Sequence, residues 1–237
     1  MTEEAKFSFS FLALVILAAI TASIGILYNN VAIIIGSMVI APLLAPNMAL
    51  ALAATLADSK LAKHAIITSF IGYGIAIFIG FIFGLIFKND VNIQNLGHVY
   101  LLLAFSAGIA GAISITKGVI ETLVGVMVAV ALLPPIVASG ILMGHCHVIA
   151  AVGMLLAFSI NVVGINLAAV LTFLAQGISP RTWWEKRKAK KTSWLFITIW
   201  LSILLALIIL IYFYEKIRAY PFPLFIIVKD LNRFLIP

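Results

Sequence analysis

Residues 33–58, IIIGSMVIAPLLAPNMALALAATLAD, form an apolar run long enough to cross a bilayer, and Pro42 and Pro46 fall near its middle. A proline has no amide proton to give to the carbonyl four residues back, so Pro42 frees the carbonyl of Met38 and Pro46 frees that of Pro42. At membrane depth such groups are tolerated only where protein or a water-filled cavity surrounds them. The run is therefore expected to carry a polar site; the alternative is a kink that only shapes packing.

The same stretch occurs twice. Shifted by 89 residues, GSMVIAPLLAPNMA, Gly36 to Ala49, lies without gaps over GVMVAVALLPPIVA, Gly125 to Ala138, and seven of the fourteen positions are identical. Apolar sequence matches itself easily, so the weight rests on the aligned Gly36/Gly125 and Pro46/Pro135 pairs. In the second copy Pro134 and Pro135 free the carbonyls of Val130 and Ala131. Corresponding Gly/Pro-interrupted segments in two halves of a membrane protein point to a transporter's binding site.

Composition agrees. A chain of 237 residues that is 64% hydrophobic and 10% charged cannot hide its apolar content in a soluble core. The net charge of +7 sits in short loops beside apolar spans, where it sets membrane orientation, and no nucleic-acid partner is needed to explain it. The lone Cys146 excludes an intrachain disulfide. Adjacent His145, Cys146 and His147 cannot all face one ion, so no metal site is expected there and the segment is read as a solvated loop.

The expected fold is an all-α polytopic membrane protein with about seven transmembrane helices. It consists of two three-helix inverted repeats, each with a Pro-broken middle helix, and a C-terminal helix. Residues 1–8 are a polar leader. Residues 9–87 form the first repeat, with its broken helix at 31–56, and residues 99–174 form the second, with its broken helix at 119–143. A basic cytoplasmic loop at 175–191, a seventh span at 192–214 and an interfacial tail at 215–237 complete the chain. Alternate-side counting puts Lys6, Lys60, Lys63, Lys117 and the six basic residues of the 175–191 loop on one side, so the N-terminus is expected to be cytoplasmic. Three spans per repeat is an odd number, so the second copy is inverted. Gly80 and Gly84 make a GxxxG that lets another helix approach closely; packing within the chain is the plainer use, and the glycine-rich faces of the third and fourth spans together are expected to serve a homo-oligomer.

IIIGSMVIAPLLAPNMALALA, ALLPPIVASGILMG and FSINVVGINLAAVLTFLAQGISPRTWWEKRKA together resemble the prokaryotic "uncharacterised hydrophobic domain" proteins, domain of unknown function 389. The resemblance covers most of residues 10–191, and the paired prolines and the NxxxIN run carry it. It implies the membrane fold and a prokaryotic plasma membrane; it implies no catalytic residue and no settled substrate. Family members often carry a soluble cytoplasmic domain ahead of the first span, whereas this chain starts almost directly in the membrane, so whatever that domain senses is expected to be missing.

The expected function is a transporter or channel for a small solute or ion. The site is placed between the two broken helices, bounded by Met38, Pro42, Pro46 and Asn47 on one side and Val130, Ala131, Pro134 and Pro135 on the other. Half-helix amides after the prolines suit an anionic or zwitterionic solute, with a coupling cation on the freed carbonyls. Asn47 is the first choice for touching the solute and Asn161 the second. Asn166 lies five residues on, about 500° of rotation, so the two amides of that span serve different faces. Glu121, the one acidic residue in an expected span, and Asn166 are the coupling candidates; for Glu121 a surface pair with Lys117 is the plainer account. No catalytic group and no cofactor is expected. A structural or regulatory membrane protein is the alternative, and an intramembrane enzyme is less favoured still.

Overall fold

A computed structural model describes residues 8–87, 99–117, 121–179 and 183–219, in which every regular element is an α-helix. The leader at 1–7, the connection at 88–98 and residues 220–237, most of the expected interfacial tail, lie outside the described residues.

Short polar side chains start the helices where the sequence provides them. Ser8 caps α1 (Phe9–Leu27) through Oγ, which accepts from the Phe11 amide, and Asn30 caps α2 (Val31–Ile40) by accepting from the amides of Ala32 and Ile33. Asn29, at φ 49°, makes the turn between them. The second helix then stops at Ile40, because the residue before a proline is pushed out of the α region: Ala41, just ahead of Pro42, is extended at φ −70° and ψ 117°. The chain resumes as α3 (Leu44–Leu56), which leaves the axis of α2 at 52°. Pro46 sits in the first turn of α3, where its missing amide proton removes no helix bond. Ala57 ends α3 in the left-handed conformation, and the Asp58 carboxylate caps α4 (Ser59–Ile86) by accepting from Lys60 and Leu61.

The second half has α5 (Val99–Lys117), α6 (Glu121–Gly144) and α7 (Val148–Ala175), followed by α8 (Trp183–Ala219). Two expectations are corrected here. The middle helix of this half is not broken, since α6 runs continuously through Pro134 and Pro135. Nor is the basic stretch all loop, since from Trp183 onward it forms the first turns of α8.

Glycines explain how α6 stays straight enough to pack. Gly80 and Gly84 of α4 face Gly140 and Gly144 of α6, and a methyl group on any of the four would strike the opposite backbone: Val137 O, Ile141 O, Ile77 O and Phe81 O respectively. Two GxxxG motifs thus meet within one chain, and α4 against α6 is the most extensive helix contact of the fold. The face assigned from sequence to an oligomer is therefore buried inside the protomer. On the other side of the bundle Gly108 of α5 lies on the backbone of Ile165 of α7, while Gly111 makes room for Met48 of α3.

Of the four helices long and apolar enough to cross a bilayer unbroken, the most buried is α7, which is flanked by α3, α5, α6 and α8. The least buried is α8: Leu195, Leu205 and Phe213 are more than half exposed. Apolar side chains on the outside are what hydrocarbon solvent requires. Helices α1, α4 and α7 and residues 190–216 of α8 are each long and apolar enough to cross a bilayer. The protein is a helical membrane protein.

Replacing Gly84 by Leu should collapse the α4–α6 contact rather than dissociate an oligomer. The expected outcome in detergent is aggregated or strongly heat-labile protein, because overpacking typically costs about 1–3 kcal/mol and a backbone collision more. A well-folded variant of lower mass in light scattering would return these glycines to a subunit interface.

Candidate functional site

The break in the α2–α3 span gathers the polar groups of the core. Asn47 lies in the first turn of α3, 1% exposed, and every bonding position of its side-chain amide is used. Its Nδ2 donates to the Leu43 carbonyl and to the Tyr73 hydroxyl, each at 2.8 Å; its Oδ1 accepts from the Tyr73 hydroxyl at 3.1 Å and from Asn166 Nδ2 at 3.0 Å. Three helices, α3, α4 and α7, are tied through one amide. Tyr73 is further fixed by the edge of Phe158 on α7, ring centroids 4.8 Å apart, and Ser69 lies one turn before it on α4. Asn166 spends its second proton on the Val162 carbonyl at 2.9 Å.

The second polar contact accounts for the unbroken α6. Pro135 cannot donate to the Ala131 carbonyl, and Asn161 Nδ2 takes that place at 2.7 Å. A side chain from α7 thus replaces the missing rung of the α6 ladder, which is how a proline is accommodated within a membrane helix. Asn161 and Asn166 do serve different helices, α6 and α3 respectively.

The residues named from sequence divide accordingly. Asn47 is at the break, yet it is saturated by protein rather than open to a solute. Asn166, kept there only as a coupling candidate, is the residue that meets Asn47, while Asn161 meets Ala131. Met38 and Pro46 are buried and Pro42 is half-buried; Pro135 is buried in the α6 core and Pro134 half-buried. The side chains of Glu121 and Val130 lie outside the described residues. Tyr73 was missed, since a single tyrosine in a glycine-rich span carries no motif; the one available signal was its being the only phenol in that span.

Three buried side-chain atoms have no partner among the described residues: Oγ of Ser69, Oδ1 of Asn161 and Oδ1 of Asn166, the two asparagines being 0% exposed. An orphaned buried polar group costs on the order of 1–3 kcal/mol, so the three mark the places where the bundle is least satisfied by its own groups. Elsewhere, a groove of ≈ 370 Å³ opens at the far end of α3, between the α3–α4 corner and α8, with Asp58, Lys63, Thr192 and Phe196 in its wall. At the α6–α7 turn a ring nitrogen of His145 lies 2.6 Å from the Phe87 carbonyl, tying that turn to the end of α4.

The Asn161–Ala131 bond yields a coupling experiment. Asn161→Ala should lower stability by about 1–3 kcal/mol, because it leaves a buried carbonyl bare. In a Pro135→Ala background, where the helix supplies its own amide, the same change should cost much less. Equal losses in both backgrounds, read from thermal unfolding as a double-mutant cycle, would contradict this role.

Among known proteins, the family model described as "Domain of unknown function (DUF389)" matches residues 38–167. An uncharacterised protein of the archaeon Methanocaldococcus jannaschii is 38% identical over 209 residues, which is 85% of this chain and 65% of the relative. The chain thus covers less than two thirds of that relative's length. No solved structure matches the chain. The matched residues start at the break and end just past Asn166, so they enclose Asn47, Tyr73, Ala131, Asn161 and Asn166. The chain belongs to the family of the domain of unknown function DUF389.

Proposed function

We propose that this protein is a membrane transporter or channel for a small solute or ion, with its site at the α2–α3 break in a closed state. The observation that carries the reading is the buried Asn47–Tyr73–Asn166 network at a helix break, next to an acceptor that no protein group satisfies. A break of this kind at membrane depth lines a polar site, and hydrogen bonds between neutral side chains can be exchanged for bonds to a solute at small net cost.

Helix spacing supports an inverted repeat. The 89-residue shift carries 59–86, the range of α4, onto 148–175, the range of α7, and carries 9–27 and 31–56 onto ranges within one residue of those of α5 and α6. Packing follows the same correspondence: α1 with α4 has its counterpart in α5 with α7, α3 with α4 in α6 with α7, and α4 with α6 in α7 with α3. Helices α2 and α3 are roughly 15 and 20 Å long at 1.5 Å per residue, and a 52° bend leaves them advancing in one direction by about a bilayer's hydrocarbon thickness. That favours a crossing segment over a re-entrant hairpin, hence seven spans with the N-terminus in the cytoplasm.

The alternative is a structural membrane protein in which the network is packing glue, a reading favoured by the saturation of Asn47. Enzymatic chemistry is no part of the proposal; Asp58 is committed to capping α4.

Two measurements decide. With Cys146→Ser as background, single cysteines at Ser59 and Ser179 should resist a membrane-impermeant thiol reagent in intact cells. Labelling of either from outside would end the seven-span topology. Liposomes containing the protein should pass at least one of Na⁺, K⁺, ammonium, chloride, phosphate or glycine faster than protein-free liposomes, and Tyr73→Phe should change that rate while the bundle stays folded. Flux at the protein-free level for all six would support the structural reading instead.

A further inference from the structure

We infer that the break between α2 and α3 binds a small monovalent cation, an alkali ion or ammonium, with Oδ1 of Asn166 as its side-chain ligand. The inference deepens the transport reading by naming the class of ion that its site takes.

The orientation of the Asn166 amide is set by its neighbours. Its nitrogen faces Asn47 Oδ1 at 3.0 Å and the Val162 carbonyl at 2.9 Å, both acceptors, so turning the amide over would set oxygen against oxygen twice. Oδ1 is thereby the free end, wholly buried and without a hydrogen-bond partner. Being bonded to the same amide carbon as the nitrogen that holds Asn47, it belongs to the junction at the break. Asn161 repeats the pattern, with its nitrogen on the Ala131 carbonyl and its oxygen unpartnered. Among the three asparagines, then, the unpartnered atoms are acceptors.

Backbone groups at the break lean the same way. Past the Ala41-to-Ser37 bond, α2 leaves the carbonyls of Met38, Val39, Ile40 and Ala41 without helical donors, and Pro46 adds that of Pro42. Against these stand the amides of Leu43, Leu44 and Ala45, since Pro46 removes the fourth. The negative partial charge at the C-terminal end of α2 is met by the positive one at the start of α3, so the excess of carbonyls over amides decides. An anion is poorly served by such a surplus of acceptors, whereas an ion that brings positive charge or N–H groups completes it.

Size and valence follow from burial and from the ligands. Asn47 and Asn166 are at most 1% exposed, so an occupant at their junction is stripped of its water and held to a few atoms. Among the residues whose side chains are described, the carboxylates are Asp58, which caps α4, and Glu215, exposed near the end of α8; the side chains of Glu121 and Glu185 lie outside them. Neutral oxygens alone hold dehydrated monovalent cations, while divalent ions call for carboxylates.

The test uses purified protein in detergent, unfolded thermally in chloride salts of sodium, potassium, ammonium and choline at equal ionic strength. A saturable rise in the unfolding midpoint with at least one of the first three over choline is expected, and magnesium should give none. Asn166→Leu should abolish the rise, and Asn166→Ala, which removes the same oxygen without crowding its neighbours, should raise the half-saturating concentration at least about tenfold. If the Leu variant does not fold, the Ala variant decides. Identical midpoints in all salts, meaning that water alone serves the oxygen, would overturn the inference, as would an unaltered half-saturation in Asn166→Ala. Solute flux without a cation effect sinks this inference alone, and a cation effect without flux sinks the transport reading alone.

Discussion

A backbone carbonyl in hydrocarbon must find a donor, and Pro42, Pro134 and Pro135 each deprive one carbonyl of its helical partner. The two halves answer differently. In the first, the chain leaves the helix at Ala41, bends by 52° and restarts at Leu44, so the loss is concentrated in a short unwound segment. In the second, α6 stays helical because Asn161 reaches from α7 to the Ala131 carbonyl, and because glycine contacts with α4 hold its backbone in place. A proline pair therefore accompanies a break between α2 and α3 and a continuous helix in α6. The difference lies in the neighbours rather than in the prolines.

That asymmetry places the polar network. With α6 closed by its own borrowed bond, the exchangeable hydrogen bonds collect around Asn47, where α3, α4 and α7 meet. Neutral amide and phenol groups suit such a place, because their bonds contribute about 0.5–2 kcal/mol each in a membrane and are readily traded. The α4–α6 contact is of another kind. Backbone packed on backbone through four glycines has no side chain to rotate, whereas the contacts at Asn47 are hydrogen bonds between side chains.

Much of the architecture was legible in the sequence, and what was not has identifiable causes. Prolines and polar caps have local effects, so the ends of α2, α3 and α4 follow from Asn30, Ala41–Pro42 and Asp58. Asn161 and Asn166 could be assigned to different faces from their spacing alone. The continuity of α6 could not be read, because it depends on a side chain thirty residues away in the chain. The GxxxG of α4 was visible, but its partner was sought in another subunit when the matching Gly140 and Gly144 stood later in the same sequence. Tyr73 had no sequence signature at all; what distinguishes it is the amide opposite its hydroxyl.

The pairing of Gly80 and Gly84 with Gly140 and Gly144 also bears on how the protein is made. A chain inserted from its N-terminus delivers α4 to the membrane with its small-residue face uncovered, and that face stays open until α6 has been synthesised and inserted. Over the same interval Asn47 lacks its α7 partner, so α1 to α4 stand without the contacts that complete the polar network. The first half is thus no independent folding unit. The bundle closes only when the second half arrives, and a truncation placed between α4 and α6 should leave a substrate for membrane quality control rather than half a protein.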